Sequence, residues 1–148
     1  MPKPFIIIKN FPMSPSVNVL YSTNKRTHQR FPSPKYQDFI ELYEYWALDH
    51  MDFVLAVRER LQLLPPKSVL HISSTFYFEQ HRVITKAGRA KRNDTANRIK
   101  AVDDALSKIF EFDDCLLWAG NYAKVAIPSG QKEYVHIELT AMPQTVQL

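Results

Sequence analysis

Between Lys91 and Asp114 the chain reads KRNDTANRIKAVDDALSKIFEFDD. Two cations open the segment, and Asp94, Asp103, Asp104, Asp113 and Asp114 follow, with Lys100 among them. The pattern predicts a helix from about Ala96 to Phe110, with Asp94 or Thr95 able to cap it. At about 100° per residue, Asn97 and Asp104 fall nearly on one line and Lys100 lies on the same side. Asp94 then stands just before the helix, and Asp113 and Asp114 just after it. Carboxylates gathered near a lysine suit a hard divalent cation, Mg²⁺ or Mn²⁺, held against a phosphodiester. The cation would polarise the phosphate, and lysine would offset charge developing on its oxygens. A plainer account is also open. DTAN is an ordinary capping sequence, Lys100 and Asp104 can form a surface pair, and FDD can be a turn.

Charge elsewhere supports an anionic partner. Lysine and arginine number 19 against 15 acids, a mild excess, but they are not evenly spread. Lys25, Arg26, His28, Arg30 and Lys35 lie in one stretch without an acid. Arg82, Lys86, Arg89, Lys91 and Arg92 lie in a second. Two acid-free basic loops are the electrostatic footprint of a phosphate-backbone binder, although solvated surface loops can look the same. Other chemistries find little material. Three glycines in the whole chain leave no phosphate-cradling loop, and the five histidines and Cys115 lack zinc-ligand spacing. A single cysteine allows no internal disulfide and fits a reducing cytosol. FIIIKNF is too short to span a membrane.

The elements that must position these residues are legible in outline. Phe5 to Lys9 predicts a buried strand, closed by the proline-rich FPMSPSVN, and Tyr21 to Pro34 predicts a loop. Lys35 to about Leu64 carries apolar residues at helical spacing. LDHMD interrupts it, so a kink or two helices are expected, with Asp52 as a cap of the second. Ser68 to Gln80 alternates as a strand, the acidic helix follows the second basic loop, and CLLWAGNYAKVAI is a further strand. PSGQK, with Pro128 and Gly130, suits a hairpin loop into the last strand, EYVHIELTAM. The order predicts one α+β or α/β domain over residues 1–148, a mixed sheet flanked by helices.

RNDTANRIKAVDDAL…FEFDD resembles the RusA family of Holliday-junction resolvases. The family signature is a basic run, D-x-D-N-x-x-K, an aspartate within DAL, and a DD about ten residues on. FPMSPSVNVLY resembles that family's proline-serine-asparagine opening, so the likeness runs from about Phe5 to Thr140. It implies a homodimeric endonuclease dependent on Mg²⁺ or Mn²⁺, acting on four-way DNA junctions by paired symmetric nicks. Its setting would be the cytoplasm of a bacterial or phage-infected cell, with no membrane partner. By resemblance Asp94 and Asp114 are the first and last metal-binding aspartates and Lys100 the functional lysine. Asn97, Asp104 and Asp113 match supporting positions. Lys25, Arg26, Arg30, Arg82, Lys86, Arg89, Lys91 and Arg92 are the expected DNA contacts.

Two features depart from the family. The helical region from Lys35 to Leu64 is longer than the family usually needs. The middle aspartate of the triad falls on Ala96, which cannot bind a metal. Either the site draws on Asp113 or Asp103, or the aspartate has been removed to leave a form that binds DNA and does not cut. Asp103 points about 120° from Asn97 around the helix, which argues against it. The expectation is a retained fold and DNA specificity with cleavage weakened. The alternative is a junction- or branched-DNA-binding protein of the same fold. The helix is also roughly 20 Å long. Asp94 and Asp114 would therefore stand apart unless the chain folds back or a second subunit contributes.

Overall fold

The computed structural model describes residues 3–16, 20–93 and 95–144 of the chain. Four strands form the main sheet in the order β1-β6-β4-β5: β1 (Ile6–Pro12), β4 (Ser68–Glu79), β5 (Leu117–Ile127) and β6 (Tyr134–Pro143). β6 runs antiparallel to β1 and β4, whereas β5 runs parallel to β4, so the sheet is mixed and the fold is α+β. Parallel neighbours need a long crossover. Here it contains α3 (Gln80–Val83) and α4 (Ala96–Phe110), and a 3₁₀ turn at Asp114–Leu116 leads into β5.

Alternation decides which sheet face is covered. Near the start of β4 Val69 and Leu70 are both buried; from His71 to Glu79, Ile72, Ser74, Phe76 and Phe78 are buried while their odd-numbered neighbours are half-exposed. β6 does the same with Val135, Ile137 and Leu139. Ile72, Phe76 and Phe78 with Val135, Ile137 and Leu139 form one core with Tyr36, Phe39 and Tyr43 of α1 (Pro34–Asp49), Val54 and Val57 of α2 (Met51–Gln62), and six residues of α4 from Ala101 to Phe110. The helices thus pack on one face. No helix among the described residues is long and apolar enough to cross a membrane.

The long helical stretch is two helices, broken at His50, whose φ of −119° and ψ of 30° leave the helical region. Its ring Nδ1 lies 2.8 Å from the Trp46 carbonyl. His50 occupies the cap position of α2, and Asp52, expected to cap, sits inside the first turn, where its charge complements the helix dipole.

Two expectations are corrected. The first basic stretch, predicted as a loop, contains a small hairpin, β2 (Tyr21–Thr23) and β3 (Arg30–Pro32). Asn24 organises its tip, its side-chain oxygen accepting from the backbone N–H groups of Arg26 and Thr27. The last two strands, predicted as a hairpin, do not pair, because β4 lies between them. Residues 128–133 arch over the end of β4, a span of about 10 Å at two strand spacings. Glu79 at that end anchors the arch: its carboxylate accepts from Gly130 N–H at 3.1 Å, and its own N–H donates to Glu133 at 2.9 Å.

Candidate active site

Helix α4 carries the predicted acidic face, and its start is fixed from an unexpected direction. Thr95 occupies the cap position without making a capping bond; its hydroxyl donates instead to the Asn93 carbonyl at 3.2 Å. The helix start is tied to the proline-rich segment after β1. Arg98, 2% exposed, donates to the Ser14 carbonyl, Ser14 Oγ donates back to Arg98 O at 2.9 Å, and the guanidinium lies 5.0 Å from the Phe78 ring centre. Sequence reading passed over Arg98, because a single arginine on a helix gives no signal of burial.

At the other end Glu111 adopts a left-handed conformation, φ 55° and ψ 52°, and turns the chain back. Arg58 of α2 holds this reversal, donating from Nε to the Ile109 carbonyl at 3.0 Å and lying 3.6 Å from the Glu111 carboxylate. The chain does fold back, and Asp114 returns alongside the helix. Ala96, Lys100, Asp103, Asp104 and Asp114 line one open depression of about 330 Å³, closed by Ile99 and Leu117.

The predicted residues divide accordingly. Lys100, Asp104 and Asp114 come together at Ala96. Asp94 lies outside the described residues. Asn97 is half-buried beside the depression without lining it. Asp113 caps the 3₁₀ turn, its carboxylate accepting from Cys115 N–H at 2.9 Å, and that bond holds its pKa below the usual carboxylate range. Asp103 lines the depression after all. Its bearing from Asn97 is about 120°, but from Ala96, seven residues earlier, it is only about 20°.

The electrostatics follow from crowding and burial. Desolvation first, and then its neighbour Asp104, push the Asp103 carboxyl up to about 6. Asp104 is also raised, mainly by burial and partly by Asp114, against the pull of Lys100, Lys108 and Arg30. One Asp103 oxygen is buried with no hydrogen-bond partner. Among the described residues, no three acidic, histidine or cysteine side chains stand close enough to share a metal ion.

The basic stretches differ in how free their cations are. Lys25, Arg26 and Arg30 are exposed on the first hairpin, with the Arg30 guanidinium 4.5 Å from the Tyr21 ring centre. In the second, a tight turn with Gly88 at φ 78° presents Lys86 and Arg89. Arg82 is engaged by Glu133 at 2.6 Å, and Lys91 Nζ donates to the His81 carbonyl at 3.3 Å. Arg82, Lys91, Arg92 and Arg98 nonetheless share a depression with Ser16 and Asn93.

The comparison with curated proteins returns no match. A family model described as endodeoxyribonuclease RusA matches residues 11–140, which takes in the Ser14 segment, both basic stretches and the whole acidic depression. The chain belongs to the endodeoxyribonuclease RusA family.

Proposed function

We propose that the protein is a structure-specific endonuclease that binds four-way DNA junctions as a homodimer and resolves them by paired symmetric nicks, with cleavage weakened by Ala96. One observation carries this: Lys100, Asp104 and Asp114 gather around Ala96 in a depression within electrostatic reach of Arg30 on the first basic hairpin. The donor set is entirely carboxylate oxygen, which fits Mg²⁺ or Mn²⁺ and suits neither zinc nor copper. Asp94 and Asp114 would hold the ion, with Asp104 beside them. When bound, the ion supplies Lewis-acid polarisation of the phosphodiester. Lys100 places an exposed ammonium where charge develops on the phosphoryl oxygens. The exposed cations Lys25, Arg26, Arg30, Lys86, Arg89 and Arg92 hold the backbone by charge. An isologous dimer offers two equivalent sites for two strands of like polarity.

A second account, a junction-binding protein that no longer cuts, is favoured by Ala96 itself, which offers no donor atom where the family motif has a carboxylate. A labelled four-way junction and a linear duplex, each with and without Mg²⁺, distinguish the two on this chain and on Ala96→Asp. Binding with weak nicking that Ala96→Asp strengthens supports the first account. Binding with no nicking in either protein supports the second. Light scattering that gives a stable monomer binding junctions at unit stoichiometry would refute the dimer.

A further inference from the structure

Next to the acidic depression lies a second one, of about 320 Å³, on the helix-covered side of β5. Gly120 and Tyr122 stand opposite Ile72 and Ser74, both buried beneath the helices, and Trp118, at the irregularity where the β4–β5 register shifts, lines the same depression. α4 covers this part of the sheet only partly. Trp118 and Tyr122 are 51% and 53% exposed, and every residue from Trp118 to Ala126 is exposed. Gly120 forms the floor between the two rings. A Cβ there would meet Ile72 Cγ2 at 3.0 Å and Ile72 O at 3.1 Å, so the bare backbone of Gly120 keeps the floor flat and a side chain there would press on Ile72. Ile99 and Asp103 of α4, with Leu117, border both depressions, so the two are continuous.

We infer that this groove receives a single unpaired nucleobase of the DNA, stacked between Trp118 and Tyr122 with its polar edge toward Asp103. The inference rests on the DNA-cleaving function proposed above and names the part of the substrate that this surface takes. Three observations select the occupant. The walls are two exposed aromatic rings separated by a flat backbone, a platform that stacks any base through its π face. The volume is near the lower end of ligand pockets, about 300 to 1,000 Å³, and suits one planar group better than a helix or a strand. The polar end is lined by Asp103, one oxygen of which is buried without a partner, and by Ser74. A protein surface closing over that carboxylate would leave a charge uncompensated, whereas base amino and imino groups donate to it. Fully paired duplex offers no such base. At a branch point, pairs open readily, and extruding a base there costs least.

The strand edge permits a rival occupant, a second copy of the chain. β5 is an eleven-residue edge strand with one charge, and that charge, Lys124, is turned back to donate to the Asn93 carbonyl at 3.0 Å. The test separates the two. Tryptophan emission is recorded in chelator on the full chain and on Trp118→Phe, so that their difference reports Trp118. Titrants are a four-way junction and a linear duplex of the same sequence. The junction is expected to quench the Trp118 signal and the duplex to leave it. Trp118→Ala and Tyr122→Ala should each weaken junction binding about tenfold and duplex binding hardly at all. Junction binding with Trp118 silent, or equal quenching by duplex, overturns the groove assignment while the proposed function stands. Conversion of a dimer to a monomer by Trp118→Ala overturns it in favour of the second copy. Failure to bind either DNA overturns the functional proposal and the groove together.

Discussion

Helix α4 presents two unlike faces over the same fifteen residues. One face, Ala101, Val102, Ala105, Leu106, Ile109 and Phe110, is 5% exposed or less and belongs to the common core. The other, Ala96, Lys100, Asp103 and Asp104, lines an open depression and holds two carboxyls above their ordinary range. The inward face fixes where the helix lies and contributes stability through burial. The outward face concentrates like charges at some cost to stability, in keeping with the chemical role proposed for it. The helix is therefore a rigid mount whose two sides answer to different demands.

Four measurements sharpen or break that division. The largest effect is expected on the inward face. Leu106→Ala removes a fully buried side chain and should lower stability by about 2–5 kcal/mol in chemical denaturation, while the folded variant binds junction DNA as before. An equal loss of junction affinity at full folding would break the division. Ala96→Asp tests the outward face and should raise Mg²⁺-dependent nicking on the order of a hundredfold with little change in metal-free affinity. Within that variant, Lys100→Ala or Asp114→Asn should abolish nicking and spare binding, read on a denaturing gel.

The third measurement carries the division beyond the helix. Replacing Arg89, Lys91 and Arg92 together by alanine should lower the slope of log affinity against log salt by about 0.9 for each phosphate no longer neutralised. An unchanged slope would make the loop a bystander. The smallest effect is that of Asp103→Asn on stability without metal. The folded carboxyl is raised to about 6, above its value in the unfolded chain, so its contribution is intact in acid and is lost as pH rises through 6. The amide variant should match the parent near pH 4 and exceed it by about 1 kcal/mol at pH 8, allowing for solvent screening of a partly exposed group. A gain already present at pH 4 would assign the effect to packing.

The sequence made the helix and its acids legible because their spacing is local: Lys100 and Asp104 need only the 3.6-residue period to be placed, whereas the return of Asp114 depends on the turn at Glu111. The break at His50 was legible for the same reason. What lay hidden depends on partners distant in the chain. The arch over β4 could not be told from a hairpin, since PSGQK satisfies either turn and only the pairing of β4 with both β5 and β6 decides. The β2–β3 hairpin escaped because three-residue strands show too little alternation to be read. Asp103 was misjudged by taking its bearing from Asn97 instead of Ala96. Gly120, Trp118 and Tyr122 looked like ordinary strand residues until the parallel register set them over Ile72 and beside α4.

The left-handed turn at Glu111 acts as a ruler. Only Glu111, Phe112 and Asp113 separate the last residue of α4 from Asp114, and Arg58 grips the near end of that spacer. Inserting or deleting one residue there would move Asp114 by up to about 3.3–3.6 Å, the reach of one extended residue. That displacement exceeds the whole length of a carboxylate–cation bond, about 2.0–2.6 Å. On the role proposed for Asp114 as a metal ligand, the count of residues between α4 and Asp114 therefore has no slack, whereas the basic turn around Gly88 is open to solvent and holds no residue of the acidic depression.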